Sequence, residues 1–291
     1  MCDNDSLDDM MKYPLRSPDV SRRELGKLAL GTGVAMMLLP RLANAADVKE
    51  SEVDIKTPDG TADAYFVHPS SGPAPAVLIW PDIFGLRPAF RQMGKRLAES
   101  GYAVLVINPF YRSQRAPTAP SSDFADPATR AALGALTSKL SPETAKIDAV
   151  AFVSWLDTQD AVDKKRKIGT MGYCLGGPFT MRTAAELPDR IGAAASFHGG
   201  GLVNDTPNSP HLLVPKMKAS YLFAIAKNDD ERQPTAKDTL REAFAKANLA
   251  AEIEVYPAMH GWCPPDSRVY DEAQAEKAWG RLLALFKTGL A

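Results

Sequence analysis

The chain is poor in cysteine and has no apolar run long enough to cross a membrane. Its three cysteines, at positions 2, 174 and 263 of 291 residues, are too few for a disulfide framework. No spacing of Cys, His, Asp or Glu resembles a metal-ligand set, and no segment repeats, so neither a metal nor another cofactor is expected. Neither sign of charge is in excess: 34 Lys and Arg stand against 35 Asp and Glu, for a net charge of −1. That balance offers no electrostatic footprint for nucleic acid or an anionic membrane surface. The apolar stretch Leu28 to Leu39 covers only about a dozen residues, short of the roughly 20 a spanning helix needs. What remains is ordinary. With 45% hydrophobic and 24% charged residues, the chain has the composition and length of one soluble domain with a sizeable core.

Residues 1–45 read as an export signal and are set apart from the fold. Ser21-Arg22-Arg23-Glu24-Leu25-Gly26-Lys27 carries a twin arginine, Leu28 to Leu39 has the length of a signal-peptide apolar region, and Ala43-Asn44-Ala45 supplies a small-x-small cleavage site. The pattern resembles a twin-arginine (Tat) signal. It implies the Tat export machinery as partner of the precursor, cleavage after Ala45, a periplasmic mature chain over residues 46–291, and no stable membrane anchor.

The mature chain alternates strand-like and helix-like segments, the pattern of an α/β fold. Thr57-Pro58-Asp59-Gly60 is a turn between two strand-like runs, which predicts an opening antiparallel hairpin. Ala76 to Trp80 and Ala103 to Ile107 are continuous apolar runs expected of strands buried on both faces. Ser141 is a natural N-cap for a helix over Pro142 to Thr158, with proline in its first turn. Further strands are expected at Ala193 to Phe197, Ser220 to Ala226 and Glu252 to Tyr256, and a last helix from about Tyr270 to Lys287. Residues 113–141, rich in Ala, Pro, Ser and Thr, are too long for a bare connection. They read either as a partly helical cover at the rim of the site or as a surface insertion. No separate cap domain is expected.

Chemistry concentrates at Gly172-Tyr173-Cys174-Leu175-Gly176-Gly177, between a predicted strand and a predicted helix. Gly-x-Nu-x-Gly is the pattern of a nucleophile elbow, in which small flanking residues let a strand reverse into a helix beneath an exposed nucleophile. A cysteine nucleophile needs a base, and the base needs a group that fixes its tautomer. His260 follows the last predicted strand, and Asp229 or its neighbour Asp230 follows the strand ending at Ala226. Cys174, Asp229 and His260 thus occur in the nucleophile, acid, histidine order of α/β hydrolases. The oxyanion of an acyl transfer requires two N–H groups, for which Leu175 and Ile83 are the candidates. Asp82 beside Ile83 either accepts or orients the thiol proton or caps a helix. His198, at the end of a strand, either contacts substrate or packs. Cys263, three residues past His260, either packs in a loop or pairs reversibly with Cys174. The second possibility defines an alternative reading as a thiol-redox or sensing protein.

Four segments make the chain resemble the dienelactone hydrolase family of α/β hydrolases: the 172–177 elbow, Asp82-Ile83-Phe84-Gly85-Leu86, Asn108-Pro109-Phe110-Tyr111-Arg112, and His260-Gly261-Trp262 with Arg268-Val269-Tyr270-Asp271. The resemblance implies a mostly parallel central sheet with helices on both faces and a Cys174, His260, Asp229 triad with Leu175 and Ile83 as oxyanion amides. The expected substrate is a small ester or enol-lactone such as carboxymethylenebutenolide. It also implies Arg112 and Arg268 as ligands of a substrate carboxylate, with His198 and Trp262 as further substrate-side residues. Where the family's prototypes have a glutamate that meets the thiol, this chain has the shorter Asp82.

Overall fold

The structure is a computed structural model that describes residues 37–40, 42 and 45–291. The twin-arginine segment lies outside the described residues. Among the described residues no helix is long and apolar enough to cross a membrane.

Among the described residues eight strands form one sheet: β1 (Val48–Thr57), β2 (Gly60–Pro69), β3 (Ala76–Trp80), β4 (Ala103–Ile107), β5 (Ile168–Tyr173), β6 (Ile191–Phe197), β7 (Ser220–Ala226) and β8 (Ala251–Tyr256), in the order β1-β2-β4-β3-β5-β6-β7-β8. β1 and β2 are the antiparallel hairpin read from Thr57-Pro58-Asp59-Gly60, with Thr57 opposite Gly60. β2 meets β4 antiparallel, and every later pairing is parallel. Strands β3 and β4 are buried at every position, because helices cover both faces of this part of the sheet.

Among the described residues seven α-helices accompany the strands: α1 (Pro88–Glu99), α2 (Pro127–Thr137), α3 (Pro142–Thr158), α4 (Gly177–Glu186), α5 (Lys227–Arg232), α6 (Ala236–Lys246) and α7 (Glu272–Gly289). α3 begins where its sequence predicts. Ser141 accepts from the Thr144 amide while the Thr144 side chain accepts from the Ser141 amide, a reciprocal cap. Its inward residues Ala145, Ala149, Phe152, Val153 and Leu156 recur at helical spacing. α2 is the helical part of the 113–141 excursion, capped by Asp126 with Pro127 at its first position. α5 was not evident in the sequence. Six residues with five charges carry no apolar period, and the turn forms because it leaves a strand end with Asp229 and Asp230 in its positive first turn.

The alternating residues of β3 and β4 divide the core into two clusters. Leu78, Trp80, Leu105 and Ile107 pack with α3, α4 and α6 residues such as Phe152, Met181 and Phe244. Val77, Ile79, Val104 and Val106 pack on the opposite face with Leu97 of α1 and Leu282 and Phe286 of α7. Each fully buried side chain of this size contributes about 1.5–3 kcal/mol. The loops that carry the candidate residues lie at the carboxyl ends of β3, β5, β6, β7 and β8, where open α/β sheets bind ligands.

Candidate active site

The turn after β5 is built by exclusion of side chains. A Cβ on Gly172 would lie 2.2 Å from the Gly176 carbonyl oxygen, and one on Gly176 would lie 2.2 Å from the Trp80 carbonyl oxygen. Those contacts are backbone against backbone, so nothing but glycine allows β5 to reverse so close to β3. The strained dihedral falls on Cys174 itself, at φ 50°, which costs roughly 1–2 kcal/mol for a non-glycine residue. Cys174 opens a 3₁₀ turn, Cys174–Gly176, that runs into α4. Its side chain stands at the amino-terminal pole of a helix, which favours a thiolate, and the Leu175 amide is among the first N–H groups, which lack an acceptor one turn back.

His260 is held on three sides. Its Nδ1 lies 2.7 Å from Asp229 Oδ2, its backbone N–H donates to Asn228 Oδ1 at 2.8 Å, and its Nε2 is sealed from solvent with no oxygen or nitrogen partner. Burial opposes a charge on this ring. Asp229 and Cys174 outweigh burial and hold the imidazole well above its ordinary pKa, Cys174 acting both electrostatically and as a hydrogen-bond partner. Asp230 turns elsewhere, to Lys237 at 2.7 Å. Of the two acids left open by the sequence, the structure brings Asp229 to His260.

Cys174, His260, His198, Ile83 and Asp82 line one small cleft, with Phe84, Arg87, Ser122, Pro264 and Asp266 around it. The cleft encloses about 20 Å³, room for a single water, and Cys174 is only 2% exposed. His198 adds a second non-glycine residue at positive φ, 40°. Its ring stands edge-on to His260 at 5.0 Å between centroids, and among the described residues neither ring nitrogen has a hydrogen-bond partner. Burial, reinforced by the charge on His260, holds His198 well below its ordinary pKa, so it is neutral.

Four of the residues expected at the site have partners within the chain. Asp82 lines the cleft but is held by Arg87, which donates to its two carboxylate oxygens at 2.6 and 2.9 Å, while its Oδ1 also accepts from the Phe84 amide. Burial pushes its carboxyl pKa up, against the attraction of Arg87. The shorter aspartate is thus a tie within its own loop rather than a partner of the thiol. Arg112 does not line the cleft; it binds Asp148 and Asp59 and lies over Tyr111. Arg268 is likewise absent from the lining and binds Asp123. Both guanidiniums find internal carboxylates within a few ångströms, which a linear sequence cannot foretell. Trp262 is fully buried, stacked on Tyr256 and edge-on to His198.

Cys263 belongs to the core cluster of the sheet face opposite that of Cys174. Burial raises its thiol pKa well above the ordinary value, and neither Cys174 nor Cys263 is in a disulfide. Closeness in sequence to His260 does not bring this sulfur to the cleft, which leaves the redox alternative without its geometric basis.

The sequence reading missed Arg87, Asp266 and Asn228. Arg87 bridges Asp82, five positions before it, and Asp266, 179 positions after it, through donors at 2.6–2.9 Å, and only Asn228, adjacent to Asp229, had a positional signal. Ser122 reaches the cleft from the 113–141 excursion, and Asp123 ties that segment to Arg268 beyond His260. The excursion is therefore part of the cover.

The sequence profile described as the dienelactone hydrolase family matches residues 62–290. An Escherichia coli K12 protein named "Putative carboxymethylenebutenolidase" is 31% identical over 77% of this chain and 81% of its own. The carboxymethylenebutenolidase of Rhodococcus opacus is 28% identical over 80% and 88%. Among solved structures, the "Putative Dienelactone Hydrolase" of Klebsiella pneumoniae superposes with a TM-score of 0.72 at 26% identity, covering 83% of this chain and 99% of that one. An acylaminoacyl peptidase of Pyrococcus horikoshii, at 15% identity and a TM-score of 0.59 over 84% of this chain and 42% of its own, shares the α/β-hydrolase fold alone. A match through nearly all of the sheet, from β2 to the end of α7, makes this chain a hydrolase of the dienelactone hydrolase family.

Proposed function

We propose that the protein hydrolyses a small ester or enol-lactone, in the manner of a carboxymethylenebutenolidase, through a thioester on Cys174. The observation that carries this reading is geometric: Cys174, on its positive-φ turn, lines one cleft with His260, whose Nδ1 lies 2.7 Å from Asp229. The Cys174 thiolate attacks the carbonyl carbon, and the oxyanion is received by the amides of Leu175 and Ile83. Collapse breaks the bond to the leaving oxygen, which takes the proton of His260, as it departs or, for an enolate, directly after. His260, now neutral, deprotonates a water that attacks the thioester; the acid leaves and the thiolate and imidazolium are restored. An enolate leaves readily without a full proton transfer, so activated esters and enol-lactones suit a thiolate better than alkyl esters do. The same reading includes export through a twin-arginine signal and a periplasmic mature enzyme.

The test is a hydrolysis screen of enol-lactones, aryl esters and alkyl esters with Cys174→Ala as control. Turnover of activated substrates should disappear in the variant, and a quenched wild-type reaction should carry an acyl adduct on Cys174 by mass spectrometry. Undiminished hydrolysis by Cys174→Ala would overturn the mechanism. Export is tested by fractionation of cells expressing the precursor with Arg22 and Arg23 replaced by lysine, which should hold it in the cytoplasm.

A further inference from the structure

A second cavity, of about 320 Å³, opens beside the nucleophilic turn and is lined in part by Leu140, Ser141, Leu175, Phe179, Arg182 and Asn208. Cavities that hold small molecules begin at roughly this volume. Leu175, Phe179 and Arg182 follow one another at spacings of four and three, so they share a face of the 3₁₀ turn and α4. The cavity therefore extends from the residue after Cys174 to a guanidinium roughly 10 Å further along the helix axis.

Arg182 is only 8% exposed, yet among the described residues it has no carboxylate at ion-pair distance. Its one hydrogen bond goes to the Asn208 carbonyl oxygen at 2.8 Å. A guanidinium carries five N–H donors, and none of the other nitrogens of Arg182 is sealed in the protein without a partner, so they open toward the cavity. Burial lowers its pKa, and only the exposed Glu143 acts the other way. Arg87, Arg112 and Arg268, by contrast, each hold carboxylates of the chain. A charge buried without its counter-ion is costly and is recovered when an anion arrives. The amino-terminal pole of α3, at Ser141 and Pro142, faces the same cavity and adds to the positive potential. Leu140, Leu175 and Phe179 supply an apolar wall between that potential and the thiol.

We propose that this cavity is a subsite for a carboxylate at the far end of the substrate, joined by a short methylene chain to the carbonyl that Cys174 attacks. Arg182 takes the carboxylate, and the apolar wall takes the chain. This rests on the hydrolase reading above, and its test separates the two. Activity is compared on 4-nitrophenyl hydrogen glutarate and on the neutral 4-nitrophenyl pentanoate, with wild type, Arg182→Gln and Arg182→Lys. The ratio of kcat/KM, anionic over neutral, should fall about tenfold in Arg182→Gln and recover in part in Arg182→Lys. An unchanged ratio overturns the subsite. If the wild type hydrolyses neither ester, the hydrolase reading fails, and calorimetric titration with glutarate decides the subsite alone. Saturable binding that Arg182→Gln loses upholds it, and no binding to wild type overturns it.

Discussion

Arg87 holds both carboxylate oxygens of Asp82, at 2.6 and 2.9 Å, and so engages an acid that lines the same cleft as Cys174. The same guanidinium spans to Asp266 and joins the loop after β3 to the loop after His260. Arg87→Ala leaves two buried carboxylates without a counter-charge and should cost about 3–5 kcal/mol. Asp82→Asn keeps Arg87 paired with Asp266 and should cost clearly less. Denaturant midpoints of the two variants give the ordering. The pH dependence of Cys174 alkylation by iodoacetamide should be unaltered in Asp82→Asn, since a shifted profile would mean that Asp82 sets the charge of the sulfur after all.

His260 sets the alkaline limit. Its pKa stands well above the ordinary value, by the balance of burial against Asp229 and Cys174. Activity on an activated ester should hold through neutral pH and decline as pH rises past that raised value, where the imidazolium loses its proton. In Asp229→Asn the attraction that raises the pKa is gone, so the alkaline limb should move toward lower pH, with a rate loss of about a hundredfold or more. A pH–rate profile measures both, and a limb that moves upward would contradict the assignment.

Stability linkage has the same sign. A folded-state pKa above the unfolded value makes the His260 contribution complete below the unfolded pKa and lost as pH rises through the folded one. The decline in wild-type stability on the alkaline side should therefore be shallower in Asp229→Asn, as measured by chemical denaturation at a series of pH values.

Two glycines should respond in opposite ways to alanine. At Gly176 the new Cβ meets the Trp80 carbonyl at 2.2 Å, backbone that cannot withdraw, so Gly176→Ala should cost about 3 kcal/mol or more. Gly134 lies exposed within α2, and a Cβ there meets nothing within 4 Å. Gly134→Ala should stabilise by about 0.5–1 kcal/mol. Thermal unfolding of both variants checks the contrast.

Arg268 binds Asp123 of the excursion, so its loss should loosen the cover and not a substrate carboxylate. Arg268→Ala should raise the rate of Cys174 alkylation a few-fold, with kcat/KM for anionic and neutral esters altered alike. A selective loss on anionic esters would return Arg268 to substrate binding.

Much of this arrangement was legible in the sequence because it rests on local rules. Continuous apolar runs gave β3 and β4, Ser141 with Pro142 gave the start of α3, and the glycines around Cys174 gave the turn. The residues that share a cleft with Cys174 follow strand ends, which is a topological regularity, so His260 and Asp229 could be placed before the fold was known. Arginine partners were not legible. Arg112, Arg268 and Arg87 take carboxylates from 36 to 179 positions away, and a long flexible side chain reveals its partner only in three dimensions. Cys263 misled for the same reason: three positions from His260 in the chain, it sits across the sheet.

The roughly 20 Å³ around Cys174 also bears on how long the enzyme lasts. A thiolate, the form proposed for Cys174, is what peroxide converts to sulfenic and then irreversibly to sulfinic acid, and the residue is 98% covered. Whatever opens the cleft for substrate opens it for oxidant too. The working life of each molecule is then counted in openings rather than in hours, and saturating substrate, by occupying those openings, should prolong it.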